Sequence, residues 1–216
     1  MPVQPITEKT VMDNVGLTDG ELARRKHYIA FTAEDEQRIA SIREVITAHV
    51  DELVDAFFKH LAGINEAKVL LGYRELTNQA KTLKRAHLLA MVGGDYGMDY
   101  VRERIKLGLL YGRVGLDAKV FVGAFRVVME KAGELIMKAF PQDGFERFMS
   151  FQKVAFMDIG INNDVLLHER DRLIGRQSEA IRELSGYVRY YNQERRHSSL
   201  GYVSPAQFES HPAVRK

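Results

Sequence analysis

Apolar residues recur at steps of three and four along most of this chain, the period of helices with one buried face. Val101, Ile105, Leu109 and Leu110 follow it from Met98 onward, with Arg102, Glu103, Arg104 and Lys106 on the other faces. Gly115 is placed to end that helix and Asp117 to cap the next. The next helix is predicted over Ala118–Phe140, with Val120, Phe121, Ala124, Val127, Val128, Leu135 and Ile136 at helical spacing and Pro141 ending it. Upstream, Thr32 is a good N-cap, followed by Glu34, Asp35 and Glu36. A long helical stretch then runs to about Ala62, with a break predicted near Thr47–Val50. Its apolar face holds Ile39, Ile42, Ile46, Val50, Leu53, Val54, Phe57 and Leu61. A short helix is expected at Glu66–Leu71 and a longer one over Arg74–Val92, ending at Gly93-Gly94. The last helix is predicted from about Phe145 to Leu184. Its first part is rich in Phe and Met. Its second part is charged, with a sparse seam of Leu166, Leu173, Ile174, Ile181 and Leu184. That seam suits either a two-stranded coil or a solvated helix end.

These 216 residues are enough for one core plus appendages, and only five prolines interrupt the periodic segments. There is no cysteine, which excludes a disulfide framework, a thiolate zinc site and cysteine catalysis. No apolar run reaches the roughly 18 residues of a membrane span and no signal peptide is visible, so a cytoplasmic protein is expected. The net charge of +2 is unevenly spread: Ser185–Lys216 holds five basic residues against two acidic ones. The basic bias of this tail suggests a separate origin.

The stretch KLGLLYGRVGLDAKVFVGAF, positions 106–125, resembles the helix F, turn and helix G of globin-coupled sensors, or protoglobin-like domains. Three further segments carry the same likeness. VDELVDAFFKHL (50–61) resembles the family's helix B, and AHLLAMVGGDY (86–96) the end of its helix E. ELARRKHYIAF (21–31) is similar to its pre-globin helix, although any amphipathic helix would read this way. The resemblance implies an all-α protein with a globin fold of the sensor type, an extra N-terminal helix and a long C-terminal signalling helix. The expected divisions are an arm at 1–17, the globin at 18–165, the signalling helix at 166–185 and a tail at 186–216.

The resemblance also marks departures. The family's iron-binding histidine falls on Tyr111, the tyrosine that steadies it on Phe121, and the tyrosine that hydrogen-bonds a gas ligand on Phe58. The former haem pocket implied for this chain comprises Tyr111, Phe58, Phe121, Leu107, Val114 and Phe125. Tyr111 can hold ferric iron only as phenolate, with an ordinary pKa near 10, so a nearby cation is needed. Arg104 and Arg113 are near in sequence. Three aromatic replacements in one pocket predict a filled cavity and no cofactor, the alternative being haem on Tyr111. His87 falls at a family histidine position that is not the iron ligand.

HERDRLIGRQSEAIRELS (168–185) resembles the linker of stressosome sensors, in which a globin without haem precedes an output domain. YYNQERRHSSLGYVSPAQFE (190–209) resembles the extreme C-terminus of insertion-sequence transposases. The catalytic carboxylates of that family lie upstream of this segment, so strand transfer is not expected. Arg189, Arg195, Arg196 and His197 make too small a patch for nucleic acid to be an expected partner. No HExxH, Walker loop or GxGxxG occurs. The resulting expectation is a sensory, non-enzymatic globin, dimeric through helices G and H, possessing stressosome-type partners and lacking its output domain. The alternatives are a haem-based oxygen, gas or redox sensor and a globin binding an apolar ligand such as a fatty acid.

Overall fold

The structure, a computed structural model, describes residues 7–195, 200 and 203–210. Among these residues the chain is helical, with no β-strand. It forms two units, residues 1–170 and 171–216.

In the first unit the N-terminal segment carries a helix, α1 (Glu8–Asn14), capped by Thr7 accepting from the Thr10 N–H. Val11 of α1 is fully buried, so this segment contributes to the core. α2 (Asp19–Tyr28) is capped by Thr18 and stops three residues before the expected Phe31, because Ala30 takes a positive φ of 48° in the turn. α3 (Ala33–Ser41) starts with a complete capping box between Thr32 and Asp35. The predicted break near residues 47–50 falls at His49, and a second one occurs at Ile42. They separate α3, α4 (Arg43–Ala48) and α5 (Val50–Ala62). A 3₁₀ turn (Asn65–Ala67), α6 (Lys68–Gly72) and α7 (Arg74–Met91) follow. Arg43 then satisfies the last carbonyls after α7, donating to Val92 O at 2.9 Å and Gly93 O at 2.7 Å.

α8 (Met98–Arg113) ends as its sequence dictates. Gly115 adopts φ +71°, the Leu116 N–H donates to Tyr111 O at 2.9 Å, and the Gly115 N–H to Gly112 O at 3.0 Å. This is a full Schellman motif, and it anchors the backbone of Tyr111 itself. Asp117 caps α9 (Ala118–Ala139) by accepting from Lys119 N–H. α10 spans Gly144–Gln193, nine residues beyond the predicted end. Within the first unit α5 packs on α9, α7 on α8 and on α5, and α1 on α8, which is the layering of a globin.

α8 meets α10 through glycines. A Cβ on Gly108 would lie 3.0 Å from Val165 Cβ, and one on Gly112 would lie 2.8 Å from Glu169 Cβ. The pair is four residues apart, on one helix face. Gly112→Ala is therefore expected to cost about 1–3 kcal/mol through overpacking, read as a lowered urea midpoint. An unchanged midpoint would show that α10 yields at this contact. The same packing covers Leu166, which is buried rather than part of an exposed seam. In the second unit Leu173, Ile174, Ile181 and Leu184 are exposed along α10, and α11 (Pro205–Ser210) forms in the tail. Ser204 and Gln207 bracket the start of α11 with mutual backbone–side-chain bonds.

Candidate functional site

Three helices of the first unit converge on a cluster of rings, and a fourth adds a charge. α5 supplies Phe57, α8 supplies Tyr111, and α9 supplies Phe121 and Phe125; all four are fully buried. Tyr111 lies 6.2 Å from Phe57 and 5.9 Å from Phe121 between ring centroids. Phe121 stacks on Phe125 at 5.7 Å. Phe58 is one ring further out, against Phe57 at 5.4 Å. The predicted Leu107 is fully buried one turn before Tyr111, whereas Val114 is half-buried at the C-cap of α8.

The Tyr111 hydroxyl is buried without a hydrogen-bond partner among the described residues. Burial pushes its phenol pKa up. A buried hydroxyl without a partner costs about 1–3 kcal/mol.

Arg104 and Arg113, near Tyr111 in sequence, do not bring a cation to its hydroxyl. Arg113 is exposed, and Arg104 is fully buried and committed elsewhere. The cation in the box is Lys84 of α7, 0% exposed. Its Nζ sits 4.1 Å from the centroid of Phe125, 4.5 Å from Phe57 and 5.4 Å from Phe121. It has no carboxylate within ion-pair distance among the described residues, and its hydrogen bond goes to His87 Nδ1 at 3.2 Å. Burying an ammonium costs several kcal/mol, against about 2 kcal/mol for a desolvated ring contact. Burial accordingly holds the Lys84 pKa well below its ordinary value. A signal for Lys84 existed: it stands four and seven residues before Leu88 and Met91, on the apolar face of α7.

His87 opens a second feature that sequence reasoning missed. It is buried, and its Nε2–H donates to Asp158 Oδ2 at 2.7 Å. Asp158 Oδ1 accepts from the Tyr100 hydroxyl at 2.7 Å and from Arg104 Nε at 3.1 Å. Arg104 Nη2 returns to the His87 carbonyl at 3.1 Å. The network joins α7, α8 and α10 inside the core. Burial opposes ionisation of Asp158, but Arg104 and His87 hold its pKa at about 2. Burial, then Lys84 and Arg104, push His87 down to about 3. His87 is therefore neutral and Asp158 charged, so the short contact between them is a hydrogen bond and Asp158–Arg104 is the ion pair.

This network predicts an acid limb. Against an ordinary 6.5, the unfolded chain binds a proton at His87 that the folded chain refuses until about pH 3. Asp158 acts with the same sign, from 3.8 down to about 2. Stability from this pair is full above pH 6.5 and falls on acidification. Between about pH 7 and pH 4 the urea unfolding energy should drop by a few kcal/mol, and His87→Gln should flatten that slope. A slope left intact by the substitution would place the acid sensitivity elsewhere.

The helix order, the pairing of α5 with α9 and of α7 with α8, and a buried site among them define a globin-fold protein. The chain belongs to the Protoglobin family, whose profile matches residues 18–172. The profile of the Integrase core domain family matches residues 176–212, in agreement with the transposase-like tail. The chain is 28% identical over 117 residues to a haem-based aerotactic transducer, HemAT, of Halobacterium salinarum. That match covers 52% of this chain and 23% of the transducer. The chain thus spans about a quarter of the length of that relative. The globin domain of a globin-coupled sensor from Geobacter sulfurreducens superposes with a TM-score of 0.57 at 24% identity, over 68% of this chain and 96% of that domain. No helix among the described residues is long and apolar enough to cross a membrane.

These comparisons correct the expectation of no cofactor, because the similar transducer is a haem protein by name. The inference from Phe58, Tyr111 and Phe121 took aromatic filling as loss of the group. What it overlooked is that the buried donors remain. Tyr111, on α8, keeps a hydroxyl without a partner among the described residues, within walls of Phe57, Phe121 and Phe125. The oxygen donor is of a kind that can hold ferric iron, but the box as it stands has no room for the group. The rings and the Lys84 side chain close the space now, so a macrocycle can enter only as they swing aside.

Proposed function

We propose that this chain is the sensing globin of a haem-based signalling protein, with Tyr111 holding ferric haem. The observation that carries this reading is the buried Tyr111 hydroxyl without a partner among the described residues. Bound haem would supply a centre responsive to redox state or to small ligands. The chain's own residues do the rest. Phe57, Phe121 and Phe125 exclude water from the iron's side of the box. The Schellman turn holds the backbone of Tyr111. Gly112, the next residue, touches Glu169 of α10, so movement of Tyr111 pushes directly on the helix that leads out of the globin.

The reading extends to assembly. Val122 and Met137 on α9, and Phe145, Met149 and Phe156 on α10, are exposed apolar residues that suit a homodimer through these two helices. Exposed Leu173, Ile174, Ile181 and Leu184 would continue the pairing along α10. The globin is read as 18–165, the signalling helix as 166–185, and the tail as 186–216, a segment of mobile-element origin. The tail's Arg189 is exposed and Arg195 lies over Tyr191, while Arg196 and His197 fall outside the described residues. The protein is read as cytoplasmic and without catalytic activity, and the likeness of residues 168–185 to stressosome sensors supports partners of that kind.

The test is an absorption spectrum of the purified chain after addition of haemin and gel filtration. A sharp Soret band that co-elutes with the protein is expected. The broad spectrum of free haemin, lost on the column, would overturn the reading.

A further inference from the structure

We infer that the cleft between α1, the end of α7 and the start of α8 binds a basic α-amino acid, whose carboxylate takes Arg104 Nη1 and whose two ammonium groups meet the carboxylates of the rim. The cleft is open to solvent, has a volume of about 480 Å³ and shares no lining residue with the ring cluster. Its volume is that of a small-molecule site. Tyr100 and Arg104, one turn apart on α8 and both buried, form its inner wall with Ala90 of α7. Glu8 of α1, with Asp95, Asp99 and Glu103, supplies carboxylates to the rim.

The inner wall offers a donor. The Arg104 guanidinium lies over the Tyr100 ring, 3.3 Å from its centroid. Its Nε–Nη2 edge is spent on Asp158 Oδ1 and the His87 carbonyl, in the core. Nη1 stands across the planar fork from that edge and has no hydrogen-bond partner among the described residues. A buried donor left unpaired is costly, more so on a charged group. A ligand with an acceptor at that end of the cleft removes the cost.

The rim decides what carries the acceptor. Asp99 pairs with Arg102, Glu103 pairs with Lys106, and Arg104 is neutralised by Asp158. Glu8 and Asp95 have no cation within ion-pair distance among the described residues, so the cleft holds two carboxylate charges in excess. A simple anion would reach Nη1 only against that charge. A simple cation would satisfy the rim and leave Nη1 unpaired. One carboxylate and two ammonium groups on one molecule answer the donor and both carboxylates. Because Arg104 also holds Asp158, occupancy of the cleft bears on α10.

The experiment is calorimetric titration of the full chain with three probes. These are L-lysine, cadaverine (lysine without its carboxylate) and hexanoate, a carboxylate without an ammonium. L-Lysine is expected to bind, cadaverine to bind about ten-fold more weakly or worse, and hexanoate to give no heat of binding. Asp95→Asn keeps the Oδ1 that accepts from the Gly97 N–H and removes the charge. It should weaken L-lysine by about two- to five-fold, the effect of one exposed ion pair. Arg104→Lys keeps a cation for Asp158 but has no Nη1. It should bring L-lysine down to the affinity of cadaverine and leave cadaverine unchanged, whereas a general loss of structure would weaken both. No binding of L-lysine, cadaverine binding as tightly as L-lysine, or an Arg104→Lys variant that weakens both probes alike overturns the assignment. Should that variant fail to fold, the comparison of the two probes on the wild type decides.

Discussion

Asp158→Asn is expected to destabilise the protein by about 3–5 kcal/mol, more than any other single substitution proposed for this chain. Asp158 is fully buried and accepts from Tyr100, Arg104 and His87 at once. An amide in its place cannot accept from all three, because its nitrogen must itself donate. The loss of charge matters more: Arg104 is 0% exposed and would lose its counter-ion. With a typical domain stability of about 5–15 kcal/mol, the variant should be close to unfolding at room temperature. Urea titration followed by circular dichroism reads the loss directly. The double variant Arg104→Met, Asp158→Leu separates a wounded network from a necessary one. Replacing both charges removes the unpaired ion but leaves the Tyr100 and His87 donors without Asp158, so only part of the deficit should return. A single-variant loss below about 1 kcal/mol would mean that water reaches this site and screens the pair.

Tyr111→Phe should act with opposite signs on two quantities. Without haem, removal of a buried hydroxyl that has no partner among the described residues should stabilise the chain by about 1–3 kcal/mol. Ring packing against Phe57 and Phe121 is retained. With haemin, the variant lacks the oxygen donor of α8, and affinity should fall by about 100-fold or more, beyond the usual cost of an outer-sphere change. Thermal unfolding of the apoprotein and haemin titration measure the two. A variant that gains no stability would show that the hydroxyl has a partner in solution. One that binds haemin unchanged would remove Tyr111 from the site.

The two predictions meet at α10. Tyr111 reaches it through Gly112 and Glu169, and Lys84 reaches it through His87 and Asp158. A change on either side of the ring cluster therefore bears on the same helix. α10 continues past the globin to Gln193, with exposed apolar residues spaced along it. A buried cluster coupled to a long helix by two routes suits the sensing role proposed above.

Local signals determined the helices because they are local physics. Thr32 with Asp35, Gly115, Asp117 and Pro141 act within one turn of where they stand, and each sits at the boundary it predicts. The run from Lys106 to Phe125 carries the densest resemblance to the family, and its Schellman turn between two helices is written in contiguous residues. The boundaries that moved were set by packing. Leu166 turned inward because Gly112 lets α10 come close, and α1 formed where Val11 could be buried against α8. The tertiary structure alone decided the chemistry of the core. Lys84, Arg104 and Asp158 read as ordinary charges on helical segments, and 54 positions separate Arg104 from Asp158. Whether a charge faces water or another charge depends on which helices meet. Sequence could therefore name Tyr111, but only the fold could show its hydroxyl without a partner among the described residues, in a ring cluster that also holds a buried lysine.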